Sequence, residues 1–507
     1  MRGTNKIIIN TIILYTKVLL CMIISLWTVP IVLGNLGAER FGLYNLIAGV
    51  VAMLAFLNGA MTVSTQRFFS VCIGEKDSIK LLEIYNLSLV LHIILGIIVI
   101  LLVEFSIPLL LNHVMNIPSD SVAIARNLFH YLVVSIFFTI TAVPFDAIMN
   151  AKEDMLVFSI IGTAEVLLKL LLALSLPYIS GDRLNYYGYM IMFIAIVIFL
   201  MKFIYVQKMY SKIFISRHYC KNKQLFRDLC SFAGWNTLAS IAIIGRNQGI
   251  ALVLNHFFGT VINAAYGISN QVNGVLGYFS QTIQKSINPQ LMESHGSKDE
   301  NKMNALVLGL TKFSTLSIGI VAMPIFIEIH YILKLWLSDI PENTEEFTRL
   351  IIILSIVFQL SSGLMSAIQS TGKIKWYTIN ICILMLSILP LSYFSIAQGQ
   401  KAEVALIIAC VIEVFALCFR LYFAKKLIGI SVKEYVSKLI VPLIIIHIAT
   451  LIFLWGVCNV MDESMARLMI VFGLGIVVYS LLAYYLILTH SEKQKIVHVL
   501  RKIKYKI

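Results

Sequence analysis

The sequence predicts an all-α, polytopic membrane protein of about 14 transmembrane helices. Three observations predict it. The chain of 507 residues is 59% hydrophobic and only 13% charged, with a mean hydropathy of +0.88, whereas a soluble globular chain is about a quarter charged. Apolar stretches recur along the whole chain, each near the ~20 residues that a helix needs to cross a bilayer. Lys and Arg collect in alternate loops, the positive-inside pattern. The spans use nearly the whole length, so no sizeable soluble domain fits between them.

In chain order the apolar segments cover residues 11–33, 41–72, 86–111, 124–150, 156–178 and 186–207. A second set covers 231–257, 262–291, 304–330, 347–370, 376–396 and 402–424, and two more cover 439–458 and 466–489. Residues 1–10 lack a cleavable signal pattern, so the first span is expected to be an uncleaved signal anchor. An even number of spans puts both termini on one side. Loops and termini of that side carry 26 Lys and Arg residues, against seven opposite (Arg40, Arg126, Arg183, Lys334, Arg349, Lys401, Arg467). Both termini are therefore expected in the cytoplasm.

The expected organisation is an N-terminal six-helix bundle (1–207), a basic cytoplasmic linker (208–230) and a C-terminal six-helix bundle (231–424). Two additional helices (425–489) and a basic cytoplasmic tail (490–507) follow. The linker KMYSKIFISRHYCKNKQLFRDLC interleaves basic and aromatic residues. It reads as a surface segment for anionic membrane lipids, which attract such stretches by about 1 kcal/mol per charge. The tail, with Arg501, Lys502, Lys504 and Lys506, reads the same way. The net charge of +14 thus follows from topology and does not imply nucleic-acid binding.

Residues 36–77 align without gaps to 258–299. Matched pairs include Gly37/Gly259, Tyr44/Tyr266, Ser64/Ser286, Gly74/Gly296, Lys76/Lys298 and Asp77/Asp299. The polar matches fall at the same helix ends and in the same loop. The alignment relates span two to span eight, hence spans 1–6 to spans 7–12, giving two pseudo-symmetric parallel halves. Transporters use such halves to frame a central site.

Span eight places Tyr266, Asn270, Asn273, Gly277, Gln281, Gln284 and Asn288 on one helix face, with Lys285 beside them. A lipid-facing row of amides is costly, so this face meets protein or water. It serves helix–helix hydrogen bonds, at about 0.6 kcal/mol each, or lines a wet cavity. Gln359 and Gln369 repeat the pattern in span ten, Asn247 and Gln248 in span seven, and Asn58 and Gln66 in span two. Buried cations are the sharper signal, because a charge at the bilayer centre costs about 2.5–3.5 kcal/mol on insertion scales. Arg246 lies near the middle of span seven, Lys285 and Arg67 toward the cytoplasmic ends of spans eight and two, and Lys17 low in span one. Lys17 and Arg67 are near enough to an interface to snorkel. A cationic cavity calls for an anion, and phosphate or diphosphate is the natural match for Arg and Lys.

The carboxylates Glu413, Asp146 and Glu165 are candidates for ion coupling. Each has a structural alternative: Glu165 and Lys169 have the spacing of a helical ion pair, and Glu413 can pair with a neighbouring helix. Glu104, Glu328 and Arg420 fall near span ends and are expected at the interfaces. No GxxxxGK[ST], HExxH or GxSxG motif occurs, so no cofactor, metal or enzymatic activity is expected. The eight cysteines show no CxxC spacing and read as reduced packing residues.

At LGAERFGLYNL, FGTVINAAYGISNQV and INPQL the chain resembles bacterial oligosaccharide flippases. These are the Wzx-like polysaccharide transporters of the multidrug/oligosaccharidyl-lipid/polysaccharide exporter superfamily. The resemblance runs from span one to about span twelve. It implies two six-helix bundles in a V shape around a cavity that opens alternately to each side. It also implies a cargo of undecaprenyl-diphosphate-linked oligosaccharide, flipped to the periplasmic leaflet for surface polysaccharide synthesis. Arg246, Lys285, Arg67 and Lys17 fit the diphosphate-binding role by type and depth. A polysaccharide polymerase or chain-length protein is an implied partner. The two extra spans resemble those of fourteen-helix lipid II flippases. The competing expectations are a cation-coupled multidrug antiporter of the same superfamily and a non-transporting assembly factor for a polysaccharide synthase complex.

Overall fold

The computed structural model describes residues 2–37, 40–41, 43–44, 47–48, 55–111, 121–210, 215–216, 222–337, 340–490 and 492–494. Regular structure among them is entirely helical. Eleven helices are long and apolar enough to cross a membrane, or twelve if the bent pair Thr344–Gln359 and Ser362–Thr371 is one span. Helices also occupy the expected second and eighth spans, at Ala55–Glu75 and 260–296. These two carry the polar residues of the internal repeat and fall short of that apolar criterion.

Numbered in order, α1 is Arg2–Leu36, α2 Ala55–Glu75, α3 Ser78–Leu109, α4 Val122–Ala151, α5 Met155–Tyr178, α6 Arg183–Met209 and α7 Lys223–Gly259. Then α8 is 260–296, α9 Glu300–Trp336, α10 the bent pair, α11 Lys375–Ala397, α12 Val404–Ile428, α13 Val432–Cys458 and α14 Met465–Leu486. Several helices start earlier than hydropathy indicated, and two of these starts are capped by polar side chains. Asp77 accepts from the Ile79 and Lys80 amides at the start of α3. Asn222 accepts from the Leu225 amide at 3.0 Å, so α7 begins at Lys223 and the linker is helical over its last residues. Linker residues 211–214 and 217–221 and the tail beyond 494 lie outside the described residues.

The chain forms two compact units. Unit 1 comprises Met1–Ile241 and Asn288–Asp299; unit 2 comprises Ala242–Ile287 and Glu300–Ile507. The divisions therefore fall inside α7 and α8, whereas hydropathy placed the joint at the 208–230 linker. In unit 1, α1 packs on α5, α3 and α6 flank α4, and α2 packs on the last turns of α4. Tyr85, Phe129 and Phe145 are fully buried there. In unit 2, α9 packs on α10 and α14, and α12 packs on α10 and α11. Outward rows such as Leu101, Leu102 and Phe105 on α3 leave half or more of their surface open. Contiguous apolar surface of this kind is what lipid covers.

The backbone bears out the duplication at several matched points. Gly37 and Gly259 both take positive φ, at 79° and 81°, where α1 ends and α7 gives way to α8; only glycine adopts such backbone readily. Lys76 and Lys298 are likewise both left-handed, at 59° and 55°. Asp77 and Asp299 donate their amides to the matched carbonyls of Cys72 and Ser294. The helices α4 and α10 are both interrupted, at Ala142 and at Leu360–Ser361. Within unit 1 the two copies meet reciprocally. A Cβ on Gly74 would lie 2.1 Å from the Glu293 carbonyl oxygen, and one on Gly296 would lie 2.0 Å from the Val71 carbonyl oxygen. These four positions are related by the repeat itself.

The C-terminal pair α13–α14 is built into unit 2 by polar contacts to α9. Lys312 Nζ donates to both oxygens of Glu492, at 2.6 and 2.7 Å. Further along, Gly319 leaves room for the Tyr479 hydroxyl, which lies 3.2 Å from His447 Nε2. Beyond the kink at Glu328, Arg467 Nη2 donates to Glu328 Oε2 at 2.9 Å, and Cys458 Sγ lies 3.2 Å from Oε1. Glu328, expected near a span end, is 1% exposed, enclosed by the protein where it meets a cation from a distant helix.

Glu492, past the end of α14, is expected to make folding pH-dependent. Burial raises its carboxyl, but hydrogen bonds from Lys312 and the Thr489 amide outweigh that and hold it below the usual range. A depressed folded value stabilises above the unfolded value of about 4.3 and is lost as pH falls through the folded one. Thermal unfolding between neutral pH and pH 3 checks this. The gap between the parent and Glu492→Gln should close on acidification; a gap independent of pH is the contrary result.

Candidate functional site

Two of the most deeply buried charges of unit 2, Glu413 and Arg420, lie on α12. Seven residues make two helical turns, so Glu413 and Arg420 share a face. Ala405, Ala409, Ala416 and Ala424 line that face and are fully or almost fully buried, letting neighbouring helices close in. Arg420 Nη1 donates to Glu413 Oε1 at 2.5 Å and to Ser361 Oγ at 2.8 Å. The side chains of Glu413 and Arg420 are 1% and 2% exposed. The Tyr377 hydroxyl of α11 lies near the same guanidinium.

Arg246 of α7 completes the cluster. Its Nη1 lies 3.8 Å from Glu413 Oε2, and that oxygen has no hydrogen-bond partner. Arg246 Nε and Nη2 donate to Asn247 Oδ1 at 3.1 and 3.0 Å, and Nη1 approaches Met385 Sδ at 3.3 Å. Gly249 makes that approach possible, since a Cβ there would meet the Leu389 side chain at 2.5 Å. One carboxylate thus serves two guanidiniums, leaving one positive charge in excess. Arg246, at 13% exposed, is the more accessible of the two.

Arg420 and Ser361 were not among the expected site residues. Arg420, expected near a span end, is wholly enclosed by the helices, where Glu413 and Ser361 accept its hydrogen bonds. The available signal was the spacing of seven between the two charges of an otherwise apolar segment.

The other expected residues distribute as follows. On α8, Asn273 accepts from Ser355 at 2.6 Å and Gln284 donates to Gln359 at 3.4 Å. Asn270 donates to the Tyr266 carbonyl at 2.9 Å. Part of the amide row therefore joins α8 to α10, while Gln281 and Lys285 are exposed. Gln359 is buried, Gln369 half-buried and Gln248 exposed. In unit 1, Arg67 lies over the rings of Phe68 and Phe232 at 4.7 and 4.9 Å, and Lys17 over Phe158 at 4.2 Å. Such stacking is worth about 0.5–2 kcal/mol. Gln66 is buried; the side chain of Asn58 lies outside the described residues. Asp146 accepts from Lys202 at 2.8 Å, and Glu165 from Lys169 at 2.7 Å. Arg246 gathers Asn247 and Glu413 from the candidate set, and each of the three candidate coupling carboxylates is paired with a cation. Among the described residues no group of three or more His, Cys, Asp or Glu is placed to hold a metal ion. Seven cysteines are described, and all are free thiols.

No family model matches the chain, and no curated protein matches it by sequence. Solved structures do match. A MATE transporter crystallised in the bent conformation aligns with TM-score 0.74 at 14% identity, over 86% of this chain and 97% of its own. A multidrug resistance MATE transporter of the MOP superfamily in its outward-facing conformation aligns with TM-score 0.72 at 14% identity, over 84% and 95%. A MOP superfamily transporter from Pyrococcus furiosus, described as having a binding pocket of reversed polarity that suggests a different function, aligns with TM-score 0.69 at 13% identity, over 85% and 98%. The chain is a multi-pass membrane protein with the fold of the MATE transporters.

Proposed function

We propose that the protein is a transporter that translocates a lipid-linked oligosaccharide across the cytoplasmic membrane, holding its diphosphate at Arg246. The observation that carries this reading is the buried cluster of two guanidiniums around one carboxylate. Its excess positive charge sits in a segment where an uncompensated cation is costly. A diphosphate supplies the missing charge, and a planar guanidinium binds it bidentately. Exposed amides such as Gln248 and Gln281 suit sugar hydroxyls, because both donate and accept. The direction, from the cytoplasmic to the periplasmic leaflet by alternating access, follows the family resemblance.

The fold likeness taken alone favours a second reading, a cation-coupled multidrug antiporter. Against it, Asp146, Glu165 and Glu413 each hold an ion pair, so none is a free acidic site for a coupling cation. The deciding experiment is delivery of a lipid-linked repeat unit to the periplasm in a flippase-null strain. At matched membrane levels Arg246→Ala is expected to lose about tenfold or more, with Arg246→Lys partly active. Full delivery by Arg246→Ala overturns the diphosphate role. A wild-type protein that delivers nothing yet lowers drug accumulation establishes the antiporter reading.

A further inference from the structure

We infer that Glu413 and Arg420 relay the state of Arg246 to the break in α10, so that a diphosphate on Arg246 loosens the bend at Leu360–Ser361. The inference rests on the anion-binding reading of Arg246 and adds to it the positioning residues Glu413 and Arg420 and the element they act on.

One atom, Arg420 Nη1, joins the charge cluster to the break in α10. Arg420 Nη1 donates both to Glu413 Oε1 and to Ser361 Oγ. Ser361 lies in the break between the two arms of α10, which bend by 44°. The other contacts at the break come from different helices. Tyr435 donates to the Leu360 carbonyl at 2.9 Å, and the Gly363 amide donates to Thr311 Oγ1 at 2.9 Å. Backbone groups freed by a helix break need such substitutes; Arg420 acts instead on the Ser361 hydroxyl, which in turn donates to the Phe358 carbonyl at 2.9 Å.

Glu413 divides its charge between Arg420 and Arg246. The Arg246 side is the looser, at 3.8 Å and without a hydrogen bond. A diphosphate competes with Glu413 for Arg246. Once Arg246 is drawn away, the carboxylate has Arg420 as its remaining cation and pulls Nη1 harder, at the expense of Ser361. In a poorly screened interior that exchange is strong. Other polar or titratable groups near this chain of contacts are Tyr377 of α11, Cys410 of α12, Tyr266 of α8 and Tyr435 of α13. None of them carries a charge at neutral pH, so the competition is among the two guanidiniums, the carboxylate and the incoming anion. Coupling requires an element with two arrangements, and the bend at α10, held or loosened, is the one proposed for that role.

The test uses the purified full-length protein, inorganic pyrophosphate as the probe, calorimetry for binding and amide hydrogen exchange across residues 360–363 for the bend. In the parent, pyrophosphate is expected to raise exchange there several-fold. Ser361→Ala keeps binding within about twofold, shows the raised exchange without ligand, and gains nothing more when ligand is added. Glu413→Gln removes the competing charge, binds pyrophosphate about tenfold more tightly, and transmits no change to 360–363. The relay is overturned if pyrophosphate raises exchange in either variant as it does in the parent. It is also overturned if Ser361→Ala exchanges like the parent without ligand. If the parent binds no pyrophosphate, the anion-binding reading fails, and the ligand-free comparison of parent with Ser361→Ala still decides whether Ser361 restrains the bend.

Discussion

Glu413→Ala is expected to destabilise unit 2 by about 3–5 kcal/mol, the cost of leaving a buried charge without its partner. The carboxylate is 1% exposed and lies between two guanidiniums. Its removal leaves two like charges in a low-dielectric interior. Arg420→Met is expected to cost less, because Arg246 remains 3.8 Å from Glu413 Oε2 and retains part of the pairing. The double change Glu413→Leu with Arg420→Met should recover most of the loss, since apolar replacement of a whole buried pair is often neutral. Thermal unfolding in detergent of the two single variants and the double one measures the order. Equal losses in all three would mean that the cluster acts through packing and not through charge.

The second large effect is expected where the two copies of the repeat touch. Gly74→Ala and Gly296→Ala should each cost about 2–3 kcal/mol, at the upper end for overpacking, because the atoms met are backbone carbonyl oxygens that cannot rotate away. The contact is reciprocal, so the first substitution already separates the helices. The double variant should therefore fall well short of the sum of the singles. Gly234→Ala in α7, where a Cβ meets nothing within 4 Å, is the control and should cost nothing. Additive losses at Gly74 and Gly296 would show that each glycine is accommodated separately.

Much of the architecture was readable before folding was considered. Hydropathy located most of the helices, with several ends off by more than a few residues: α1 and α13 begin well before their apolar windows, and Asp77 and Asn222 extend two helices into stretches too polar for a hydropathy window. The match of residues 36–77 to 258–299 anticipated a duplicated backbone, down to the unusual conformations of Gly37/Gly259 and Lys76/Lys298. The spacing of Glu165 and Lys169 announced their pairing. The partners of Arg246, Arg420 and Glu328 were not readable in the same way. Each is contacted by a residue far along the chain or by a different helix: Arg246 by Glu413 and Met385, Arg420 by Ser361, Glu328 by Arg467.

The physical reason is a difference of range. Span length, helix periodicity, capping and the topological preference of basic loops are local properties, set by residues within a few turns of one another, and they establish an all-helical membrane protein with duplicated halves. The choice of partner for a buried charge depends on which helix faces meet, and that is settled only when α7, α10, α11 and α12 pack. The folded arrangement made Arg246 one member of a three-charge cluster, enclosed Arg420 completely, and brought Arg420 to the break in α10.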